Sequence, residues 1–198
     1  VEVVSEGGPS PTFPFITDVH YRLARGDSGF HAWVVFRRDK GAPAASLGQT
    51  RMVVRGVPGT KVFTHHIADD ARKGPFPTSP VVREVMDATY LHEDGTVYSK
   101  YNNTVFMADH RLHGMTGHGV GMWVVTPSNE YVNGGPLKQG LTVHMDNVLL
   151  STFQAGHFGS GALDFRDGEA WTKVYGPFCV YLNTGPSMDA MHEDAKRR

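Results

Sequence analysis

Between Asn133 and Phe158 the chain passes from a Gly-Gly-Pro turn through Lys138-Gln139-Gly140 into an alternating run, Leu141-Thr142-Val143-His144-Met145. A second apolar run, Val148 to Phe153, then closes on Gln154-Ala155-Gly156-His157-Phe158. Alternation with period two sends successive side chains to opposite sides and predicts a strand with one buried face. His157 sits just past a strand, with the backbone freedom of Gly156 on one side and the ring of Phe158 on the other. Such loops carry functional side chains as well as ordinary ones.

The same pattern recurs along the chain. Val19 to Leu23 and Gly29 to Phe36 alternate and predict a hairpin joined by Ala24 to Ser28. Gln49 to Val54 and Lys61 to His66 predict strands around the turn Val57-Pro58-Gly59-Thr60. Ala68 to Pro80 is polar and rich in proline, which predicts a long surface loop. Val81 to Ala88 fits one helical turn or a strand. Further strands are expected over Thr96 to Tyr101, Gly119 to Thr126 and Pro177 to Asn183, with turns at Glu93-Asp94-Gly95 and Asp164 to Glu169. Only Asp189 to Arg198 reads as helical. Frequent strands with turn signals at short intervals predict an all-β protein built on a large antiparallel sheet assembly.

Composition narrows the function. The 198 residues carry a formal net charge of -1, so no basic excess points to nucleic acid, and no apolar run is long enough to span a bilayer. The single cysteine, Cys179, lies in Pro177-Phe178-Cys179-Val180-Tyr181 and reads as a buried free thiol. Val1-Glu2-Val3-Val4 shows neither a start methionine nor a signal-peptide pattern. Both ends read as interrupted.

Eleven histidines raise a metal hypothesis, with His110, His113 and His118 the closest grouping. An arginine between two of them and the absence of paired cysteines make surface or core histidines the better explanation. Gly156 to Gly161 does not fit the nucleophile elbow of a serine hydrolase. Glu93, Asp94, Asp109, Glu130, Asp146 and Glu169 each sit in or beside a turn, and no pair is singled out as a glycosidase would need. Lys100 stands apart. In Val97-Tyr98-Ser99-Lys100-Tyr101 it is flanked by aromatics and partly desolvated, which suits either a base near neutral pH or a lysine snorkelling to water.

Several phrases occur in one order: His66 to Arg72, Ser99-Lys100-Tyr101, Leu112-His113-Gly114, Gly121-Met122-Trp123, Thr126-Pro127-Ser128, Gly134 to Gln139 and Gly176-Pro177-Phe178. With His157 and Tyr181-Leu182-Asn183 they resemble the rhamnogalacturonan lyases of polysaccharide lyase family four, from about Phe15 onward. The resemblance implies a secreted, extracellular enzyme whose catalytic domain is a large antiparallel β-sandwich of the mutarotase-like kind. A fibronectin-like domain and a carbohydrate-binding domain would follow it. Residues 1–198 would then be the middle and C-terminal part of the catalytic sandwich, partnered by the rest of that domain. Exposed sheet edges are expected, and the isolated chain is not expected to be a competent enzyme.

The implied chemistry is β-elimination on the rhamnose–galacturonic acid backbone of pectin, which leaves an unsaturated galacturonate end. The uronate carboxylate must be neutralised, the C5 proton removed, and O4 stabilised as it leaves. The family is thought not to need calcium, so no cofactor is expected. The resemblance places the catalytic lysine on Lys100, as proton abstractor, and the catalytic histidine on His157. It also marks Arg51 as a carboxylate contact, and His113 and Lys138 as further candidates for substrate binding or support. Thr152, five positions before His157, stands where some relatives carry a tyrosine, so a ring contact to sugar is lost there. Two other readings go with the fold: a sandwich that binds acidic polysaccharide without cleaving it, and a mutarotase-like epimerase, for which no His–Glu pair stands out. The Asn102-Asn103-Thr104 triplet fits a glycosylation acceptor, but a glycan there would crowd a cleft at Lys100.

Overall fold

The computed structural model describes residues 1–56, 61–102, 111–127, 141–145, 148–155 and 161–198. Its main sheet has eight strands in the order β1 (Glu2–Gly7), β2 (Ile16–Arg22), β3 (Gly29–Arg38), β16 (Trp171–Thr184), β12 (Val120–Val125), β11 (Leu112–Gly117), β6 (His65–Ile67) and β7 (Lys73–Pro75). A second sheet runs β13 (Val143–His144), β14 (Val148–Gln154), β5 (Thr50–Arg55). A third runs β10 (Val97–Ser99), β9 (Thr89–His92), β8 (Val81–Met86), and β15 (Leu163–Phe165) pairs with β4 (Ala45–Leu47). Every pairing is antiparallel. The helix α1 (Met188–Ala195) is capped by Ser187, whose hydroxyl accepts from the Ala190 amide. The all-β antiparallel expectation holds.

The main sheet and the second sheet pack face to face. Phe36, Tyr175 and Phe178 of the main sheet meet Phe153 of β14, while Met115, Met122, Val124 and Val180 meet Leu149 and Val143. Every residue of β14 is buried. Leu149 and Phe153 face the main sheet, and Val148 and Leu150 face the other way onto Leu141 and Tyr101. On the far side of the main sheet α1 covers Trp123, Ile67 and Tyr181. The Trp123 indole donates to Asn183 Oδ1 at 2.8 Å, and Asn183 Nδ2 donates to the Met191 carbonyl and to Asp194. Those bonds from Asn183 and one from the Tyr181 hydroxyl hold the Asp194 carboxyl down at about 2.

Several segments differ from their sequence pattern. Ala68 to Pro80 is not all surface loop: Lys73–Pro75 forms the edge strand β7, and Phe76 is buried against Tyr98 with ring centroids 5.8 Å apart. Pro75 is tolerated because an edge strand has one row of amides without a partner strand. Val81 to Ala88 is strand rather than helix, and its apolar side chains Val81, Val82, Val85 and Met86 are exposed. Of Lys61 to His66, only the end is strand, and β6 lies in the main sheet while β5 lies in the second. The expected turn from Asp164 begins later, since Asp164 and Phe165 pair with Ser46 and Ala45. The final strand starts at Trp171, six residues before its expected start at Pro177. Leu141, Thr142 and Val143 are buried in succession, because apolar clusters lie on both sides of them. Cys179 is half-buried, and desolvation raises its thiol above the ordinary range.

Close backbone approach sets one glycine. A Cβ on Gly114 of β11 would lie 2.4 Å from the Met122 carbonyl oxygen and 2.6 Å from the Trp123 ring. Neither neighbour can yield, since one is strand backbone and the other is the fully buried Trp123. Gly114→Ala is therefore expected to lower the unfolding free energy by about 3 kcal/mol or more. Urea unfolding measures it, and a loss under about 1 kcal/mol would contradict this packing.

Candidate active site

The turn between β8 and β9 brings Asp87 to Lys100. Ala88 takes a left-handed conformation at φ 51°, its amide donates to Glu84 Oε1, and its carbonyl accepts from the Lys100 amide at 3.1 Å. Past the end of β10, the Ser99 hydroxyl bonds Thr89 Oγ1 at 2.8 Å and accepts from the Tyr101 amide at 3.2 Å. Lys100 thus lies in the turn after the strand rather than within it. It does not snorkel: its side chain is only 4% exposed, and its ammonium sits 2.6 Å from Asp87 Oδ2. Asp87 itself is half exposed. The Tyr101 hydroxyl donates to the same oxygen at 2.8 Å, and its ring centroid is 5.1 Å from the Lys100 nitrogen. A buried ammonium is tolerated only with a countercharge, and Asp87 supplies it.

Tyr101 rests on Leu141, Val148 and Leu150, the side of the second sheet turned away from the main sheet. Register places Arg51 opposite Thr152 and Arg55 opposite Val148, which also pairs with His144. Arg51, Arg55 and His144 therefore share that side with the ring of Tyr101. Arg51 is exposed. His144 is pushed down to about 4, first by desolvation and then by the charges of Lys100 and Arg51, so it is a neutral imidazole. Its Nε2 is buried without a hydrogen-bond partner among the described residues. Burial pushes Tyr101 up to about 12, helped by its bond to Asp87.

His113 has a different place. Buried on β11, it donates from Nε2 to the Leu150 carbonyl at 2.5 Å. The Leu150 amide bonds the Thr142 carbonyl at 2.6 Å, so His113 ties β11 to β14 beside the end of β13. His157 and Lys138 lie outside the described residues. Of the five residues expected at the site, Lys100 and Arg51 are brought to the same region, and His113 braces the strand behind it. Sequence reasoning passed over Asp87, Tyr101 as a hydrogen-bonding group, and His144. Asp87 would have emerged only by reading Val81 to Ala88 as a strand ending in a turn. His144 was visible as a polar member of an alternating run.

One group of acid and imidazole side chains among the described residues is close enough to share a metal: Asp70, His192 and Glu193. The Lys196 ammonium already lies 2.6 Å from Asp70 and 2.8 Å from Glu193, and His192 stacks on Trp123. This is an ion-pair knot that docks α1, not a metal centre.

Fold and site together define an all-β sandwich protein with a buried lysine, paired with a half-exposed carboxylate, beside exposed arginines. No family model matches the chain. It is 31% identical to a rhamnogalacturonate lyase of Dickeya dadantii (strain 3937) over 183 residues, 91% of this chain and 31% of that protein. It is 24% identical over 201 residues to rhamnogalacturonate lyase B of Emericella nidulans, and 27% identical over 187 residues to probable rhamnogalacturonate lyase C of the same organism. Those matches take in 89% and 83% of this chain, and 30% and 17% of the relatives. These similarities support assignment of the chain to the rhamnogalacturonan lyase family, and the chain spans about a third or less of the length of these relatives.

Two outcomes test the electrostatics. Asp87→Asn removes the countercharge of Lys100 and is expected to lower stability by about 2 kcal/mol, less than for a fully enclosed pair because Asp87 is half exposed. The Tyr101 titration should at the same time move from about 12 back toward 10, read by ultraviolet absorbance. An unchanged midpoint in both would refute the pairing. For His144 the folded value is depressed below 6.5, so its contribution is present above about 6.5 and is lost as pH falls toward about 4. His144→Gln should flatten the stability curve across that window.

Proposed function

We propose that this chain carries the catalytic lysine of a lyase that cleaves rhamnogalacturonan by β-elimination. The observation that carries the reading is the buried Lys100 ammonium, held by Asp87 and Tyr101, with the exposed guanidinium of Arg51 in the same region. The names of the relatives, rhamnogalacturonate lyases of a bacterium and of fungi, support it.

The reaction needs a base, a cation for the carboxylate and a proton for the leaving oxygen. Arg51 takes the galacturonate carboxylate, which acidifies the adjacent C5–H. Lys100, as the free amine, takes the C5 proton; the C5–H electron pair becomes the C4–C5 double bond, and the C4–O4 bond breaks. O4 leaves with a proton, which we assign to His157. The Lys100–Asp87 ion pair corresponds to the lysine after it has taken the proton, so Asp87 stabilises the ammonium that the step creates. Arg51 supplies the positive charge at the carboxylate that a divalent cation would otherwise bring, so the proposed step uses no metal. The substrate, a polymer of the plant cell wall, implies a secreted enzyme, acting with the remainder of its catalytic domain. No helix among the described residues is long and apolar enough to cross a membrane.

The test is absorbance of the unsaturated uronate while the intact protein acts on de-branched rhamnogalacturonan. Lys100→Met keeps the stem and removes the amine, and is expected to slow the rise by about a hundredfold to ten-thousandfold. His157→Ala should do the same, and a chelator should leave the parent rate unchanged. Activity within tenfold of the parent in both variants would sink the assignment, and loss of activity with chelator would give the carboxylate to a metal.

A further inference from the structure

The far side of the main sheet holds a second arrangement that the elimination chemistry does not use. Ala32 and Phe36 of β3 point into the core, so His31 and Trp33 point out. Register sets Trp33 beside His20, and His31 between Arg22 and Cys179. The helix α1 covers this side only over Tyr181 and the strands beyond it. Over β2, β3 and the first half of β16 no described element covers the sheet, and a cavity of about 600 Å3 lies there, lined chiefly by Trp33, His31, Arg22, Asp27, Val174 and Pro177.

The cavity is shaped by packing. Glu2 accepts a hydrogen bond from His20 Nδ1 at 3.0 Å, and His20 stacks on Trp33 with centroids 4.7 Å apart and planes 11° from parallel. His20 is not part of the lining, so the part of Trp33 that faces the cavity is what His20 leaves open. Opposite Trp33, β16 breaks register between Tyr175 and Phe178. Gly176 makes this possible: at φ 112°, a Cβ there would lie 2.9 Å from the Ala32 carbonyl and 3.0 Å from Trp33 Cβ. The bulge packs against the Cα and Cβ of Trp33, and Pro177 lines the cavity wall. Around this apolar floor, the side chains of Arg22, His31 and Asp27 make no hydrogen bond or ion pair of their own among the described residues.

We propose that this cavity is a second, non-catalytic saccharide site that takes a uronic-acid-containing chain. A fixed indole offers a flat apolar surface to the C–H face of a pyranose ring. Arg22 matches a carboxylate bidentately, and Asp27 and His31 can bond ring hydroxyls. A uronosyl residue carries both groups; a neutral sugar leaves Arg22 without its partner. The site lies across the main sheet from Lys100, so the two are separate. On a long polymer, a second grip raises the local concentration of chain at the first. The ligand class rests on the proposed polysaccharide substrate, but the binding can be read without catalysis.

Titration of the intact protein with trigalacturonate, followed by calorimetry and tryptophan emission, tests it, with maltotriose as the neutral control. Trp33→Ala and Arg22→Gln are each expected to weaken trigalacturonate binding by about tenfold, and Arg197→Gln, an exposed cation outside the cavity, to leave it unchanged. Arg22 is exposed, so its variant folds whatever becomes of Trp33→Ala, and Trp33→Phe should retain part of the affinity. Maltotriose should bind more weakly and ignore Arg22→Gln. Unchanged affinity in both cavity variants, an equal loss in Arg197→Gln, no binding of trigalacturonate, or a change of self-association in place of saccharide binding would each overturn the proposal.

Discussion

Burial of β14 on both faces is the constraint from which the rest of the structure follows. In a strand enclosed on both sides the backbone polar groups must find partners within the protein, because water cannot reach them. The structure answers from other elements. His113 crosses from β11 to take the Leu150 carbonyl, and the Leu150 amide reaches the Thr142 carbonyl at 2.6 Å. Gln154 accepts from the Tyr175 hydroxyl at 2.9 Å and donates to the Gly161 carbonyl. Each of these ties a different segment to the same strand, so β14 fixes the spacing of the layers.

That spacing creates two different sides. Toward the main sheet, β14 presents Leu149 and Phe153 to an aromatic and aliphatic core. Away from it, Val148 and Leu150 form a small apolar floor on which Tyr101 lies. A lysine beside that floor is shielded from water, and Asp87 and Tyr101 are arranged around it. The same low-dielectric setting carries the charges of Lys100 and Arg51 to His144 and keeps it neutral. Positive charge at this site is thus concentrated on lysine and arginine rather than on histidine.

The main sheet, in turn, separates this chemistry from the outer cavity at Trp33. Its eight strands are too many for one short helix to cover, and α1 shields only the half that contains Trp123 and Tyr181. The open half is kept from being a flat apolar surface by the β16 bulge and by polar side chains at its rim.

Local pattern alone determined the all-β antiparallel class and several of the strands, because alternation and turn residues act over a few neighbours and survive any tertiary arrangement. The ordered phrases around Lys100, His113 and Gly176 determined the family resemblance in the same way. Asp87 as the partner of Lys100 was decided only in three dimensions: thirteen positions separate them, and the hairpin turn at Ala88 closes the gap. The bracing role of His113 likewise depends on a carbonyl 37 residues away. Phe76, read as part of a polar loop, is buried because Tyr98 arrives from another sheet. Burial and charge pairing are properties of which elements meet, and residue order along the chain does not specify those meetings.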